Sequence, residues 1–132
     1  MMLKNRLNSQ GLLLNKRTFL IVAPILPGKA EAWRRFMQEI GGTRRREHEA
    51  SRRRLGIQVE RAWISETRQR TIGIMLIEGE ALEQALAALA HSDQPFERWF
   101  REQLLTLQGL DLTQLDLAFL PDLIFAWSSD AE

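Results

Sequence analysis

Three observations predict an α+β fold built on one antiparallel sheet. Short runs rich in β-branched residues alternate with segments whose apolar residues recur at helical spacing. The order of these two kinds of segment repeats across two halves of the chain, and glycine or proline punctuates most junctions. The 132 residues fit one domain with its own core. That domain is expected over residues 18–127, between a flexible N-terminal extension (1–17) and a flexible C-terminal tail (128–132).

The first half opens with TFLIVAPIL (18–26), β-branched and aromatic, which reads as a strand ending at the Pro27-Gly28 turn. Ala30, Trp33, Phe36, Met37 and Ile40 then mark an amphipathic helix from Lys29 to Ile40. Gly41-Gly42 stops it, because glycine tolerates the left-handed conformation at a helix end. Thr43 is placed to cap a second helix that runs through the arginine-rich segment to Leu55, with Gly56 as its stop.

The second half begins with a hairpin, IQVERAWIS and TIGIMLIEG joined by ETRQR. Leu82, Ala85, Leu86 and Leu89 mark a third helix. Ser92-Asp93-Gln94-Pro95 interrupts it and starts a fourth, since proline fits a first helical turn but not an interior. Phe96, Trp99, Phe100, Leu104 and Leu107 form the stripe of that helix, and Gly109 closes it. A leucine-rich connector and Pro121 precede LIFAW (123–127), read as a last strand.

The order β-αα-β-β-αα-β is the ferredoxin-like split βαβ arrangement, an antiparallel sheet with helices on one face. Such a sheet should alternate apolar and polar residues if its other face meets water. Instead Leu20-Ile21-Val22, Ile74-Met75-Leu76-Ile77 and Leu123-Ile124-Phe125 are apolar on both faces. The simplest cover for the open face is the same face of a second copy, so a homodimer is expected.

The element order and apolar strands resemble the dimeric α+β-barrel superfamily over roughly residues 18–127. That group includes cofactor-free monooxygenases, EthD-like proteins, stress-responsive barrel proteins and haem-containing chlorite dismutases. The strings APILPGKAEAWRRF, HEASRRRLGI, ERAWI and SDQPFERWFREQL are more specific. Together they resemble a family of small uncharacterised bacterial proteins of this fold. The resemblance implies a dimer with a cavity beside each sheet. It transfers no catalytic residue, because no motif of the characterised enzymes matches position by position.

Composition narrows the chemistry. Hydrophobic residues make up 45% and charged residues 27%, ordinary for a soluble globular chain. A formal charge of +1 disfavours a surface built wholly for nucleic acid. Cysteine is absent, which excludes disulfides, thiolate metal sites and cysteine nucleophiles and suits a reducing cytoplasm. No apolar run approaches the roughly 20 residues that span a bilayer, so no membrane partner is expected. The GLLL cluster in residues 1–17 is also far shorter than a signal-peptide core. Beside the loose extension stands the alternative of a short docking arm.

The segment TRRREHEASRRRLGI (43–57) is the strongest chemical signal. On a helical wheel its six arginines spread around most of the circumference, and Glu47 and Glu49 answer some of them at i±3 and i±4. A solvated helix with weak surface pairs is the plain reading. The alternatives are a carboxylate or phosphate ligand held by one or two arginines, and nucleic-acid binding, against which stands the lack of interleaved aromatics. The least charged stripe is Arg44, His48, Ser51 and Leu55, with Arg52 at its margin, and it should face the protein. His48 is either a structural histidine bonded to backbone or carboxylate, or a proton acceptor beside an anion-fixing Arg44 or Arg52. A Ser51–His48 nucleophile is poor, because helix spacing supplies no strained elbow or oxyanion hole.

On the second strand, Glu60 faces one side with Ala62 and Ile64, while Arg61 and Trp63 face the other with Ile57 and Val59. An edge position explains this best, with one charge in solvent; a polar cavity is the alternative. The aromatics of the fourth helix fit a core or dimer interface. His91 and His48 have no metal-ligand spacing, nothing selects haem, and no cofactor or metal is expected.

The leading expectation is a homodimeric small-molecule-binding protein, or a cofactor-independent enzyme, acting on a small anionic or aromatic compound. His48, Ser51, Arg52, Arg44 and Trp63 are the candidate ligand-binding residues. The alternative is a non-catalytic interaction or structural module, with nucleic-acid binding third. A closed apolar pocket beside His48 would favour the first, and a filled interior the second.

Overall fold

The computed structural model describes residues 17–115 and 121–129. Its elements run β1 (Arg17–Pro24), α1 (Ala30–Gly41), α2 (Arg45–Leu55), β2 (Val59–Glu66), β3 (Thr71–Gly79), α3 (Leu82–His91) and α4 (Pro95–Gln108), with a 3₁₀ turn at Leu112–Gln114. The three strands form one antiparallel sheet in the order β1-β3-β2. The protein is therefore α+β, with four helices and a three-stranded antiparallel sheet among the described residues. None of the helices is long and apolar enough to cross a membrane.

Strand alternation sends Phe19, Ile21 and Ala23 of β1 and Met75 and Ile77 of β3 toward the helices. Trp33, Phe36 and Ile40 of α1 and Phe96, Phe100, Leu104 and Leu107 of α4 meet them there. Phe36, Met75, Phe100 and Leu104, none more than 1% exposed, fill the space between sheet and helices. Burial of one such side chain stabilises the fold by roughly 1.5–3 kcal/mol. A second cluster of Ile57, Ile77, Leu82, Ala85 and Leu86 seats α3.

One buried bridge ties α1 and α4 to the strands. Trp33 Nε1 donates to Gln108 Oε1 at 3.0 Å, and Gln108 Nε2 donates to the Ala23 carbonyl at 2.9 Å. Gly73 makes room for it: a Cβ there would sit 2.7 Å from Gln108 Nε2 and 2.9 Å from the Trp33 ring. The glycine that interrupts the apolar run of β3 is thus a packing requirement.

Helix ends differ partly from expectation. Gly56 and Gly109 adopt the left-handed conformation, at φ 80° and 65°, and close α2 and α4. Gly41 and Gly42 do not. Gly42 ends α1 at φ −126°, and it must be small because a Cβ would lie 2.8 Å from the Gln38 carbonyl oxygen. Thr43 is not the cap of α2. Arg44 takes that position, with its N–H donating to the Glu39 carbonyl and that of Arg45 to the Gly42 carbonyl, so the turn between the helices satisfies those donors itself.

The main departure is at the C-terminal end. Residues 123–127, expected as the last strand, form no strand, and among the described residues none pairs with them. Ile124 is 94% and Trp127 75% exposed. Arg17 already belongs to β1; the rest of the expected N-terminal extension, part of the connector (116–120) and the tail beyond Ser129 lie outside the described residues.

The sheet face away from the helices is apolar and open. Across it run the rows Val22–Ile74–Trp63 and Leu20–Leu76–Arg61. Leu20, Val22 and Trp63 are each about half exposed.

Candidate functional site

Helix α2 turns the expected stripe inward. Ser51 and Arg52 are buried, His48, Arg44 and Leu55 are half-buried, and Arg45, Arg46, Arg53 and Arg54 are exposed. The long side chains of this helix reach acids far away in sequence. Of the pairs expected within the helix, Arg44–Glu47 forms at 3.3 Å and Arg45–Glu49 at 4.0 Å. Arg52 and Arg54 instead pair with Glu60 of β2 and Glu97 of α4.

Glu60 is the centre of the cluster. Arg52 grips its carboxylate with both prongs, Nε to Oε1 at 2.8 Å and Nη2 to Oε2 at 3.1 Å. His48 Nε2 lies 2.7 Å from Oε1. Burial alone would push the Glu60 carboxyl up, but hydrogen bonds from His48 and Arg52 and their charge outweigh it, lowering the pKa from 4.5 to about 2. An ionised carboxylate only accepts, so His48 must donate from Nε2. The Nε2 lone pair is therefore unavailable as a base, and only Nδ1 could accept a proton.

Aromatic rings of α4 back these charges. The Arg52 guanidinium lies 4.4 Å from the Phe100 ring centroid, and that of Arg44 lies 4.1 Å from Trp99. The His48 ring meets Phe96 edge-on at 6.0 Å. Ser51 Oγ accepts from Arg52 Nη1 at 3.0 Å and so extends the network toward Glu97. Burial raises the Glu97 carboxyl; hydrogen bonding with Ser51 and Ser92 and the Arg54 guanidinium more than offset it, and its pKa is lowered.

An open cleft of about 270 Å³ lies beside the cluster, lined by His48, Arg52, Arg53, Gln58 and Glu60 among others. Most ligand pockets are larger and more enclosed, at about 300–1,000 Å³. Among the described residues no group of three or more His, Cys, Asp or Glu side chains could hold a metal ion.

The structure thus brings His48, Ser51 and Arg52 together, with Arg44 one helical turn away on Trp99. It does not bring Trp63, which lies on the opposite face of the sheet from Glu60. Of the two explanations for the charges on β2, both hold. The strand is at the edge with Arg61 exposed, and Glu60 points inward to a polar cluster. Glu97 and Arg54 were missed. Glu97 falls three and seven positions before Phe100 and Leu104, so helical spacing alone puts it on the buried stripe.

Comparison with protein-family models, with curated proteins and with solved structures gives no match.

Proposed function

We propose that this chain is a homodimeric interaction module, assembled through its open sheet face, with the His48–Glu60–Arg52 cluster securing α2 to the edge strand. One observation carries the reading: the apolar rows Val22–Ile74–Trp63 and Leu20–Leu76 lie uncovered on a sheet whose other face carries the helices and the core. A C2 contact would cover the same stripe on both copies at once. The order β1-β3-β2 with paired helices is compatible with a split βαβ sheet that lacks only its fourth strand, as in the dimeric α+β barrels the sequence resembles.

The test is the mass in solution. Light scattering at micromolar concentration is expected to give twice the chain mass, and Val22→Asp is expected to give a folded monomer. A full chain that scatters as a monomer throughout that range would sink the reading.

A second reading, binding of a small anion, is favoured by Arg53. It is exposed beside the cleft and has no acidic partner among the described residues, while His48 Nδ1 has no hydrogen bond there. Titration with inorganic phosphate and with benzoate tests it. Binding lost in Arg53→Ala, with the fold unchanged, supports it; no heat and no shift with either anion counts against it.

A further inference from the structure

The C-terminal segment and the open edge of β1 are two unfinished surfaces of the same chain. Leu123, Ile124, Phe125 and Trp127 are all exposed, an apolar run with the composition of a strand and no strand partner among the described residues. β1 is hydrogen-bonded to β3 on one side, and among the described residues no strand pairs with its other side. An edge of this kind, eight residues long with Leu20 and Val22 exposed on it, is a template for strand addition.

The anchor of the segment argues against completion within one copy. Arg17 Nη2 donates to the Pro121 carbonyl at 3.2 Å and lies 3.5 Å from Asp122 Oδ1, so the segment starts beside the first residue of β1. To lie along its own β1 from there, it would run parallel to the strand. Parallel pairing, with its slanted hydrogen bonds, is the weaker kind. On a second copy the same segment is free to run antiparallel.

We infer that residues 123–127 form an exchanged arm that adds to the free edge of β1 of a second copy, each protomer supplying the fourth strand of the other's sheet. This rests on the homodimer reading and deepens it. The occupant follows from self-complementarity, since one chain carries both the unpaired strand and the unpaired edge. A buried Phe or Trp contributes roughly 150–250 Å², so reciprocal burial of Phe125 and Trp127 covers on the order of 600–1,000 Å². The open sheet face adds to this, toward the range of about 1,200–2,000 Å² for stable interfaces.

The experiment compares the full chain, a chain ending at Pro121, and a full-length Phe125→Ser/Trp127→Ser variant by light scattering and sedimentation. A dimeric full chain with both variants monomeric, or dissociating at a concentration at least tenfold higher, supports the arm. The double variant keeps the test decisive should the shortened chain fail to fold, because both positions are exposed in the protomer. Variants that dimerise as tightly as the full chain overturn the arm and leave the sheet-face reading standing. A monomeric full chain overturns both.

The absence of native cysteine permits a direct check. Chains carrying Leu20→Cys or Val22→Cys are mixed with tagged chains carrying Phe125→Cys or Trp127→Cys and mildly oxidised. A disulfide joining tagged to untagged chain supports exchange, whereas a mixture that yields no tagged–untagged disulfide overturns it.

Discussion

His48 of α2 and Glu60 of β2 meet at 2.7 Å, and the carboxylate that receives the histidine is also gripped by both prongs of Arg52. The histidine is therefore the lesser of two donors to a buried anion. Arg52 satisfies the charge, while His48 satisfies one remaining lone pair and points its other nitrogen away from the carboxylate. That order of importance makes the cluster a fastening between helix and edge strand before it is anything else.

The ranking can be measured. Glu60→Gln leaves the buried Arg52 guanidinium without its counter-charge, and breaking such a pair costs about 3–5 kcal/mol. His48→Ala removes one hydrogen bond to a charged group, about 1.5–3 kcal/mol at most, while Arg52 still holds the carboxylate. Urea unfolding at neutral pH should place Glu60→Gln well below His48→Ala in midpoint. The reverse order would mean that the histidine, and not the arginine, carries the contact.

Acid should release the same fastening. The Glu60 carboxyl is held at about 2 in the folded protein against 4.5 when unperturbed. The unfolded chain therefore binds more protons between these values, and folding is favoured as pH rises through them. Stability on the order of 3 kcal/mol is fully present above about pH 4.5 and lost as pH falls through 2. Glu97, also lowered, adds to the loss in the same direction. Thermal melts from pH 6 to pH 2 should show the decline, and Glu60→Gln should flatten it. An equal slope in that variant would place the titration elsewhere.

Gly73 has a steric role that a double substitution isolates. Gly73→Ala drives a methyl group against Trp33 and Gln108, and overpacking of this kind costs about 1–3 kcal/mol. Trp33→Phe removes the crowded part of the ring together with the Nε1 donor to Gln108. The two changes together should cost clearly less than their sum, read from unfolding midpoints. Simple additivity would show that the β3 backbone moves aside and that the glycine has no such role.

Much of the fold was legible because periodicity reports burial. The helical stripes of α1 and α4 and the hairpin of β2 and β3 lie where their apolar spacing placed them. So does the inward stripe of α2, since a helix this charged has only one side poor enough in charge to bury. Glu60 was visible as a charge on the inward face of an apolar strand, but its partners were not. Twelve residues separate it from His48, and the angle between α2 and β2 makes that contact.

The sequence by itself determined the α+β class, the positions of four helices and three strands, and the faces that each would bury. These follow from local spacing and turn chemistry, which act within a few residues. Only the tertiary structure decided that Arg52 turns from Glu49 to Glu60, that Arg54 reaches Glu97, and that Trp63 stands apart from His48. The same holds for residues 123–127, which have the composition of a strand and none of its pairing. Composition makes a segment fit for a sheet, but a ladder needs a second backbone, and among the described residues none pairs with this segment.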